Sequence, residues 1–509
     1  MRLSAPPKFC LFFVLVAGVF AQQAPDPGKQ APSPATQGSV APIAEFKSRT
    51  DLVLVPVVVR DKKGNHVSGL SKDAFRLEEN GKEQSISLFE EVQAPGSIVP
   101  AATDRGYSNL PFDNASQIRL TIIVLDLLNT GILARTDGRD WILKFLSKGL
   151  VPNQPVSLLC LTSQGLKLVF PFSTDANALI QGLKSISLGA ETIMDRRNVV
   201  IHTIEQLKEI AQAYRGLPGR KTMIFAAGYI PEITPEREII PTSGYTEDLR
   251  EMWQALIDAN IALYPVQLMS WSRDPSMHGL ASRPNGMLLR DVAEFTGGNL
   301  CVEENGLLNC LAEAIEDSRS YYMLGFSVAM NDRKPGWRDL KVKVAEAHVD
   351  VRARNGFYYG VAPVKDAKSA RSEEVNALAS SLAYSAVPMF VKVLGRAPAS
   401  DPAQSSQKIS VLFLITIPLS GVKIDSSRPD ALDLDVGAIA LTRDVREAAE
   451  FLHPVGGNPK AEQLQAWGRE GIKLHEKLEL PPGSYDIRFL ARDNNASQIG
   501  TVVFPLDVQ

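Results

Sequence analysis

The sequence predicts an α/β doubly wound domain inserted in a β-sandwich, with a second β-sandwich at the C-terminal end of the 509-residue chain. Three observations lead to this fold class. Within RLTIIVLDLLNT, residues 119–130, the unbroken run Leu120–Leu125 is rich in β-branched and aliphatic residues, as in a central parallel strand that helices cover on both faces. Strand patterns alternate with helix patterns over residues 118–320. Strand patterns without helices precede and follow that region, and further strands fill residues 385–509.

The first 21 residues have the pattern of a secretory signal peptide. Arg2 and Lys8 precede a short apolar run, and small residues precede a cleavage site after Ala21. The run is too short to span a bilayer as a helix of the mature chain, and an uncleaved anchor is the alternative. Residues 22–45, rich in Pro, Gln, Ala and Ser, predict a disordered spacer. We expect an exported protein, periplasmic or extracellular, without a transmembrane segment in the mature chain.

Export would place the cysteines of the mature chain in an oxidising compartment, where disulfides can form. Cys10 leaves with the signal peptide, so Cys160, Cys301 and Cys310 remain. Cys301 and Cys310 are close enough in sequence to form a disulfide in an oxidising compartment, whereas Cys160 lies in an apolar run and predicts a buried thiol. No cysteine and histidine spacing resembles a zinc site. The net charge of -3 gives no electrostatic reason to expect nucleic acid or an anionic membrane as partner.

Strand patterns flank the central region on both sides. Residues 46–93 include two runs around Asn80-Gly81, a strong hairpin signal, and residues 321–361 contain three more strands. Neither segment has enough strands to bury a core alone. We therefore predict that the two segments pair in one sandwich and that the α/β domain is inserted between its halves. Residues 94–117 are predicted to be a polar linker.

Six strand patterns and six helix patterns alternate in the central region. Within Arg197–Tyr214, the residues Val200, Ile204 and Leu207 recur at helical spacing and mark one buried face. The predicted strands are Leu120–Asp126, Val156–Thr162, Leu166–Phe172, Thr222–Ala227, Ile261–Val266 and Asn299–Val302. The predicted helices are Arg139–Lys148, Asp175–Ser187, Arg197–Tyr214, Thr246–Ala259, Leu288–Thr296 and Leu307–Ser318.

The C-terminal part is predicted to be a β-sandwich over residues 385–509. Six strand-like runs occur there, and Leu480–Ser484 has the composition of a tight turn that joins sandwich strands. A short helix is predicted at Val375–Tyr384, before the first of these strands. The six runs are PMFVKVLG, ISVLFLITIP, LDLDVGAIALTRD, GIKLHEKLEL, YDIRFLARD and TVVFPLDV.

The central run RLTIIVLDLLNT resembles the first strand of a von Willebrand factor type A domain. The preceding segment VVVRDKKGNHVSGLSKDAFRLEENGKEQSISLFEE and the following segment RSYYMLGFSVAMNDRKPGWRDLKVKVAEAHVDVRARNGFYYG resemble the flanks of VWFA-related secreted proteins of the acidobacterial type. The resemblance covers about residues 46–360. It implies a von Willebrand factor A-like domain at residues 118–320 that binds a protein ligand, often through a divalent cation. The family's cation ligands are a D-x-S-x-S motif, a Thr in a later loop and an Asp after the fourth strand.

The sequence departs from that cation motif at two positions. Asp126 and Thr130 match the first and fifth positions of the motif, but Leu128 occupies the position of the first Ser. Ala227 precedes Gly228 where the family has an Asp. A hard cation such as Mg²⁺ needs oxygen ligands, and these departures remove one carboxylate and one hydroxyl.

The middle threonine of the motif has an ambiguous counterpart in Thr192, whose spacing to Asp195 is one residue short. We therefore favour a fold without a bound cofactor, with a polar pocket at the strand end. A weak Mg²⁺ site through Asp126, Thr130 and Thr192 is the alternative. Asp126 is then expected to accept hydrogen bonds from nearby backbone N–H groups, and Thr130 to cap the next turn or helix.

Two functions follow from these observations. The favoured one is an exported, non-catalytic binding or assembly protein that contacts a protein ligand through a rim formed by Asp126, Asn129, Thr130 and Thr192. The sequence contains no G-x-S-x-G, H-E-x-x-H, P-loop or G-x-G-x-x-G motif. The alternative is an exported hydrolase or envelope-modifying enzyme whose site forms between domains and cannot be recognised from sequence.

The mature chain is predicted to begin at Gln22, because the small-residue cleavage site directly follows the apolar run. N-terminal sequencing of the exported protein should read QQAPD. A secreted chain that begins at Met1 would contradict this prediction.

Overall fold

The computed structural model describes residues 50–93, 106–112, 119–150, 153–189, 194–228, 246–268, 283–301, 307–329, 336–359, 367–398 and 408–509. The predicted signal peptide and spacer lie outside these residues. Within the described ranges, no helix combines the length and apolar character that crossing a membrane requires.

The described strands and helices are numbered in chain order. The strands are β1 (Thr50–Arg60), β2 (Phe75–Glu79), β3 (Lys82–Gln84), β4 (Ile86–Gln93), β5 (Tyr107–Ser108), β6 (Thr121–Asp126), β7 (Val156–Thr162), β8 (Gly165–Ser173), β9 (Lys221–Ala227), β10 (Ile261–Gln267), β11 (Ser320–Ala329), β12 (Gly336–Val344), β13 (Asp350–Ala353), β14 (Gly356–Tyr359), β15 (Phe390–Pro398), β16 (Ile409–Ile417), β17 (Leu432–Thr442), β18 (Glu447–Gly457), β19 (Ile472–Leu480), β20 (Gly483–Asp493) and β21 (Gln498–Val508). The helices are α1 (Ile132–Lys148), α2 (Ala176–Lys184), α3 (Arg196–Tyr214), α4 (Thr246–Asp258), α5 (Arg283–Thr296), α6 (Leu307–Arg319), α7 (Ala367–Ala379) and α8 (Ala461–Glu470).

The central sheet has the order β10-β9-β6-β7-β8, in which β8 is antiparallel to β7 and the other pairs are parallel. Every residue of β6 is buried, as its apolar run predicts. Ile122 and Val124 face a core shared with α3, α4 and α5, whereas Ile123 and Leu125 face a core shared with α1, α2 and α6. Helices therefore cover both faces of a mostly parallel sheet, and the predicted alternation of strands and helices is confirmed.

The structure differs from the predicted elements of this domain at two places. Helix α1 begins at Ile132 rather than at Arg139. Its first turns, ILARTDG, contain a glycine that is needed for packing, because a Cβ on Gly138 would lie 2.5 Å from Cδ1 of Leu268. The predicted strand Asn299–Val302 is reduced to a single bridge between Cys301 and Val266, and Val302 lies outside the described residues.

Two four-stranded sheets combine strands that precede and follow the central domain. One has the order β13-β1-β11-β4 and the other has the order β14-β12-β2-β3. Strand β1 pairs antiparallel with β11 from Thr50 to Val57, and β2 pairs antiparallel with β12. Side chains of both sheets, among them Val57, Leu77 and Leu324, share one apolar core. Each half thus supplies the surface that buries the apolar face of the other.

The C-terminal strands form two further sheets, β19-β16-β15-β5 and β18-β17-β20-β21, around one apolar core. Phe413 packs against Phe489 and Phe504 at centroid distances of 5.1 and 5.7 Å. The helix before these strands is α7, at Ala367–Ala379 rather than at Val375–Tyr384. The predicted elements did not include β18, whose residues are half-buried or exposed, or α8.

The predicted polar linker contributes a strand to the C-terminal sheet. Tyr107 and Ser108 of β5 pair with β15, which lies about 280 residues later in the chain. The buried side chain of Asn109 donates to the carbonyl oxygens of Tyr384 and Val387 at 2.7 and 2.8 Å. Its Oδ1 accepts the backbone N–H of Met389. A polar linker residue therefore joins the C-terminal sandwich because it satisfies buried backbone groups there.

A buried ion cluster joins the central domain to the first sandwich. The carboxylate of Asp317, at the end of α6, is fully buried. It pairs with the guanidinium of Arg60 at the end of β1, and with Arg352 of β13 at 3.0 Å. The hydroxyl of Tyr264 in β10 donates to the same carboxylate. Four elements thus converge on one charge.

The predicted disulfide between Cys301 and Cys310 is confirmed, with a Cα–Cα distance of 5.7 Å. It ties the end of the segment after α5 to the first turns of α6. Cys160 lies within β7 as a buried thiol outside this disulfide.

Replacement of Asp317 by alanine should lower the free energy of unfolding by about 3–5 kcal/mol, because it leaves Arg60 and Arg352 without their shared counter-charge. Urea unfolding of the purified protein measures the effect. Asp444→Ala is the matched control, since it removes an exposed carboxylate that pairs with Arg446 and should change stability little. Equal losses in the two variants would contradict a special role for Asp317.

Candidate functional site

The carboxyl ends of β6 and β9 lie side by side at a switch in strand order. From β6 the chain continues to β7 on one side of the sheet, and β9 occupies the other side. Ligands of open α/β sheets bind in the crevice at such a point. We call the polar residues gathered here the strand-end site: Asp126, Asn129, Thr130, Thr203 and Gly228.

Asp126 is fully buried and bonded within its own loop. Its Oδ1 accepts the backbone N–H of Asn129 at 2.8 Å, and its Oδ2 accepts the side-chain amide of Asn129 at 2.7 Å. The expectation that Asp126 accepts backbone N–H groups is confirmed. Burial raises the pKa of the Asp126 carboxyl to about 7, and the hydrogen bonds from Asn129 oppose that rise.

Thr130 joins the two strand ends. Its hydroxyl oxygen accepts the backbone N–H of Gly228, just after β9, at 2.8 Å. A Cβ on Gly228 would lie 3.3 Å from the Cα of Thr130, so the two segments are in close contact. The expectation that Thr130 caps the next turn or helix was wrong. The residue before α1 is Gly131, and that helix start has no side-chain cap.

The sequence did not indicate Thr203, which completes the site from α3. The side-chain amide of Asn129 donates to the Thr203 hydroxyl oxygen at 2.9 Å, and that hydroxyl donates to the carbonyl of Val199. Thr203 is fully buried. It lies on the same helix face as Val200 and Leu207. A hydroxyl side chain on this otherwise apolar face is the feature of the sequence that could have indicated Thr203 as a site residue. Asn129 Oδ1 is also buried, and it has no hydrogen-bond partner among the described residues.

Arg135 of α1 is a second residue that the sequence did not indicate. Its side chain is buried, its Nε donates to the carbonyl oxygen of Thr130 at 2.8 Å, and its Nη1 donates to the carbonyl of Gly189. Its positive charge also acts against the raised pKa of Asp126. Arg135 therefore fixes the loop that carries the strand-end site.

Two large apolar side chains are exposed beside this polar site. Ile132 and Leu133, in the first turn of α1, are 56% and 73% exposed. Only Gly131 separates them from Thr130, so they lie at the rim of the switch point. The predicted helix, which begins at Arg139, does not include them.

The described residues supply only part of an oxygen shell for a hard cation. Both carboxylate oxygens of Asp126 and the hydroxyl oxygen of Thr130 accept internal hydrogen bonds. Leu128 and Ala227 present apolar side chains at the two positions that depart from the motif, and Ala227 is fully buried. Thr192 lies outside the described residues, so only Asp126 and Thr130 of the three candidate ligands are seen together. Elsewhere in the described ranges, no three His, Cys, Asp or Glu side chains form a metal-binding group.

The stability of the wild-type protein relative to Asp126→Asn should fall as the pH rises from about 4 to about 7. The folded protein keeps the Asp126 proton up to about pH 7, whereas an unfolded carboxyl releases it near 3.8. The proton therefore stabilises the fold fully below about pH 4, and this contribution disappears at about 1.4 kcal/mol per pKa unit. Urea unfolding of both proteins across this range measures it, and a pH-independent difference would contradict the raised pKa.

No protein-family profile matches the sequence, and no curated protein matches it. Similar solved structures include an aerotolerance-related membrane protein from Bacteroides fragilis NCTC 9343 with multiple mutations to serines, 14% identical over 40% of this chain and 98% of that chain, with a TM-score of 0.26. Another is proximal thread matrix protein 1 from the mussel byssus, 10% identical over 39% of this chain and 48% of that chain, with a TM-score of 0.25. A structure of the mussel protein with a zinc-occupied MIDAS motif is 9% identical, with a TM-score of 0.25. The chain spans about half the length of the mussel protein.

Proposed function

We propose that the chain is an exported, non-catalytic binding protein with a von Willebrand factor A-like domain, and that it binds a protein partner at the rim of the strand-end site without a divalent cation. The observation that carries the proposal is the exposed pair Ile132 and Leu133 at the switch point of the central sheet.

The exposed pair has the composition of a protein contact. Single exposed apolar residues are common on protein surfaces, but two adjacent ones at the position where such sheets bind ligands favour a buried anchor in a complex. The neighbouring helix start adds a polar feature. Because Gly131 gives α1 no side-chain cap, its first N–H groups and the helix dipole favour a carbonyl or carboxylate of the partner.

The internal bonding of the site supports a role without catalysis. A catalytic acid or base must reach the proton that it transfers. Asp126 instead uses both oxygens to hold Asn129, and the Thr130 hydroxyl oxygen accepts the N–H of Gly228. These groups shape the loop that presents Ile132 and Leu133.

Export is supported by two separate features. The first 21 residues have the pattern of a signal peptide, and the Cys301–Cys310 disulfide suits an oxidising compartment. The partner would therefore be a protein of the periplasm or the extracellular space.

Leu133→Asp should abolish crosslinking of the tagged protein to its partner in the envelope of the cells that produce it. The substitution places a charge where an apolar side chain would be buried in the complex. Val445→Asp is the matched control, because Val445 is 75% exposed on a turn of the C-terminal sandwich. The crosslinked product should persist in that control. Loss of the product in both variants, or in neither, would contradict a contact at this rim.

Partner binding is expected to be independent of Mg²⁺, Mn²⁺ and Ca²⁺. Calorimetric titration of the chelator-treated protein with each ion should give no saturable heat, since Leu128 and Ala227 supply no oxygen ligands. Asp126→Ala should instead lower stability, by about 1–3 kcal/mol if the donors on Asn129 lose their acceptor. A 1:1 binding isotherm at micromolar concentration that disappears in Asp126→Ala would overturn cation independence.

A further inference from the structure

A cavity of about 430 Å³ lies between the first sandwich and the central domain. Leu54 and Pro56 of β1 form one wall, Gln254 and Ile257 of α4 form another, and Arg354 and Tyr358 close it from the β13–β14 segment. Ile261, the first residue of β10, also lines it, so the cavity is at the opposite end of the sheet from the strand-end site. We call it the Arg354 cavity.

The guanidinium of Arg354 is buried with one of its donors unused. The residue is 9% exposed, and its Nη2 donates to the carbonyl oxygen of Leu54 at 2.6 Å. Its Nε is buried and has no partner among the described residues. Burial lowers the pKa of Arg354 to about 10, so the group remains charged at neutral pH.

The geometry explains why Leu54 offers its carbonyl to Arg354. Strand β13 pairs with β1 only from Val57 to Arg60. At Arg354 the chain leaves β1 for the other sheet. The carbonyl of Leu54 therefore has no backbone partner from β13, and Nη2 of Arg354 donates to it instead. Arg354 also lines the cavity.

The nearby carboxylate does not neutralise Arg354 directly. The negative charge of Asp258 raises the pKa of Arg354. The Asp258 oxygens themselves are bound by Arg215 at 3.1 Å and by the Gln254 amide at 2.6 Å. The side-chain oxygen of Gln254 is itself buried without a partner among the described residues. The cavity lining therefore contains one cation, Arg354, and one carboxylate, Asp258, which is already paired with Arg215. A buried charge without a paired anion is costly, so an anionic ligand would be stabilising.

We propose that the Arg354 cavity binds a small monocarboxylic acid with an apolar body. Its carboxylate would accept from the guanidinium of Arg354, and its hydrocarbon or aromatic part would pack between Leu54, Ile257 and Tyr358. The volume falls within the range of about 300–1,000 Å³ that small-molecule sites occupy. This cavity is separate from the strand-end rim, so acid binding there does not depend on the proposed protein partner.

Calorimetric titration of the full mature chain with benzoate, phenylacetate and hexanoate tests the proposal, with benzamide, phenylacetamide and hexanamide as matched neutral probes. At least one acid should bind saturably. The affinity of its amide should be lower by about tenfold or more, because a charge-assisted hydrogen bond is roughly twice as strong as a neutral one. Equal binding of acid and amide, or no saturable binding of any acid, would overturn the proposal.

Variants locate the binding in this cavity. Arg354→Gln should abolish acid binding, whereas Arg446→Gln removes an exposed arginine of the C-terminal sandwich and should leave it unchanged. Because Arg354 also holds Leu54, Ile257→Trp provides a second test that keeps the cation and fills the space. Circular dichroism and urea unfolding report whether each variant folds. Unchanged acid binding in folded Arg354→Gln or Ile257→Trp would place the ligand elsewhere.

Discussion

The buried carboxylate of Asp317 fixes how the inserted domain meets the sandwich that surrounds it. An inserted domain must return its chain close to the point of departure, because both halves of the host sheet have to pair. Arg60 ends β1, and α6 with Asp317 runs directly into β11, which pairs with β1. The ion pair therefore forms where the two halves meet. Tyr264 and Arg352 add contacts from β10 and β13, so the orientation of the central sheet is set at the same position.

Given that anchoring, the two ends of the central sheet differ in chemistry. At the carboxyl ends of β6 and β9, polar groups are directed inward and satisfy one another, and apolar side chains face solvent. At the amino end of β10, apolar side chains line a cavity and a cation lacks full pairing. The first arrangement is where we propose contact with a protein surface, and the second is where we propose binding of a small anion. Burial of Asp126 is tolerated because Asn129 supplies two donors to it.

Local patterns in the sequence were sufficient for elements whose burial follows their own residues. The apolar run of β6 and the spacing of Val200, Ile204 and Leu207 in α3 report burial directly, and the disulfide followed from close spacing. Features that depend on distant partners were not predictable. Gly138 is accommodated in α1 because it packs against Leu268, and the buried position of Arg354 depends on where β13 leaves β1. Thr203 belongs to the site only because the fold brings α3 within hydrogen-bond distance of Asn129.

The pairing of β5 with β15 has a consequence for the order in which the chain can fold. Tyr107 and Asn109 bond to residues that follow them by about 280 positions, so they have no partners until most of the chain has been synthesised. Contacts of such long sequence separation form slowly. The C-terminal sheet can thus complete this edge only after β15 has been synthesised, on a segment that precedes the central domain. A fragment containing only residues after β14 would lack one edge strand and expose the backbone groups that Asn109 satisfies.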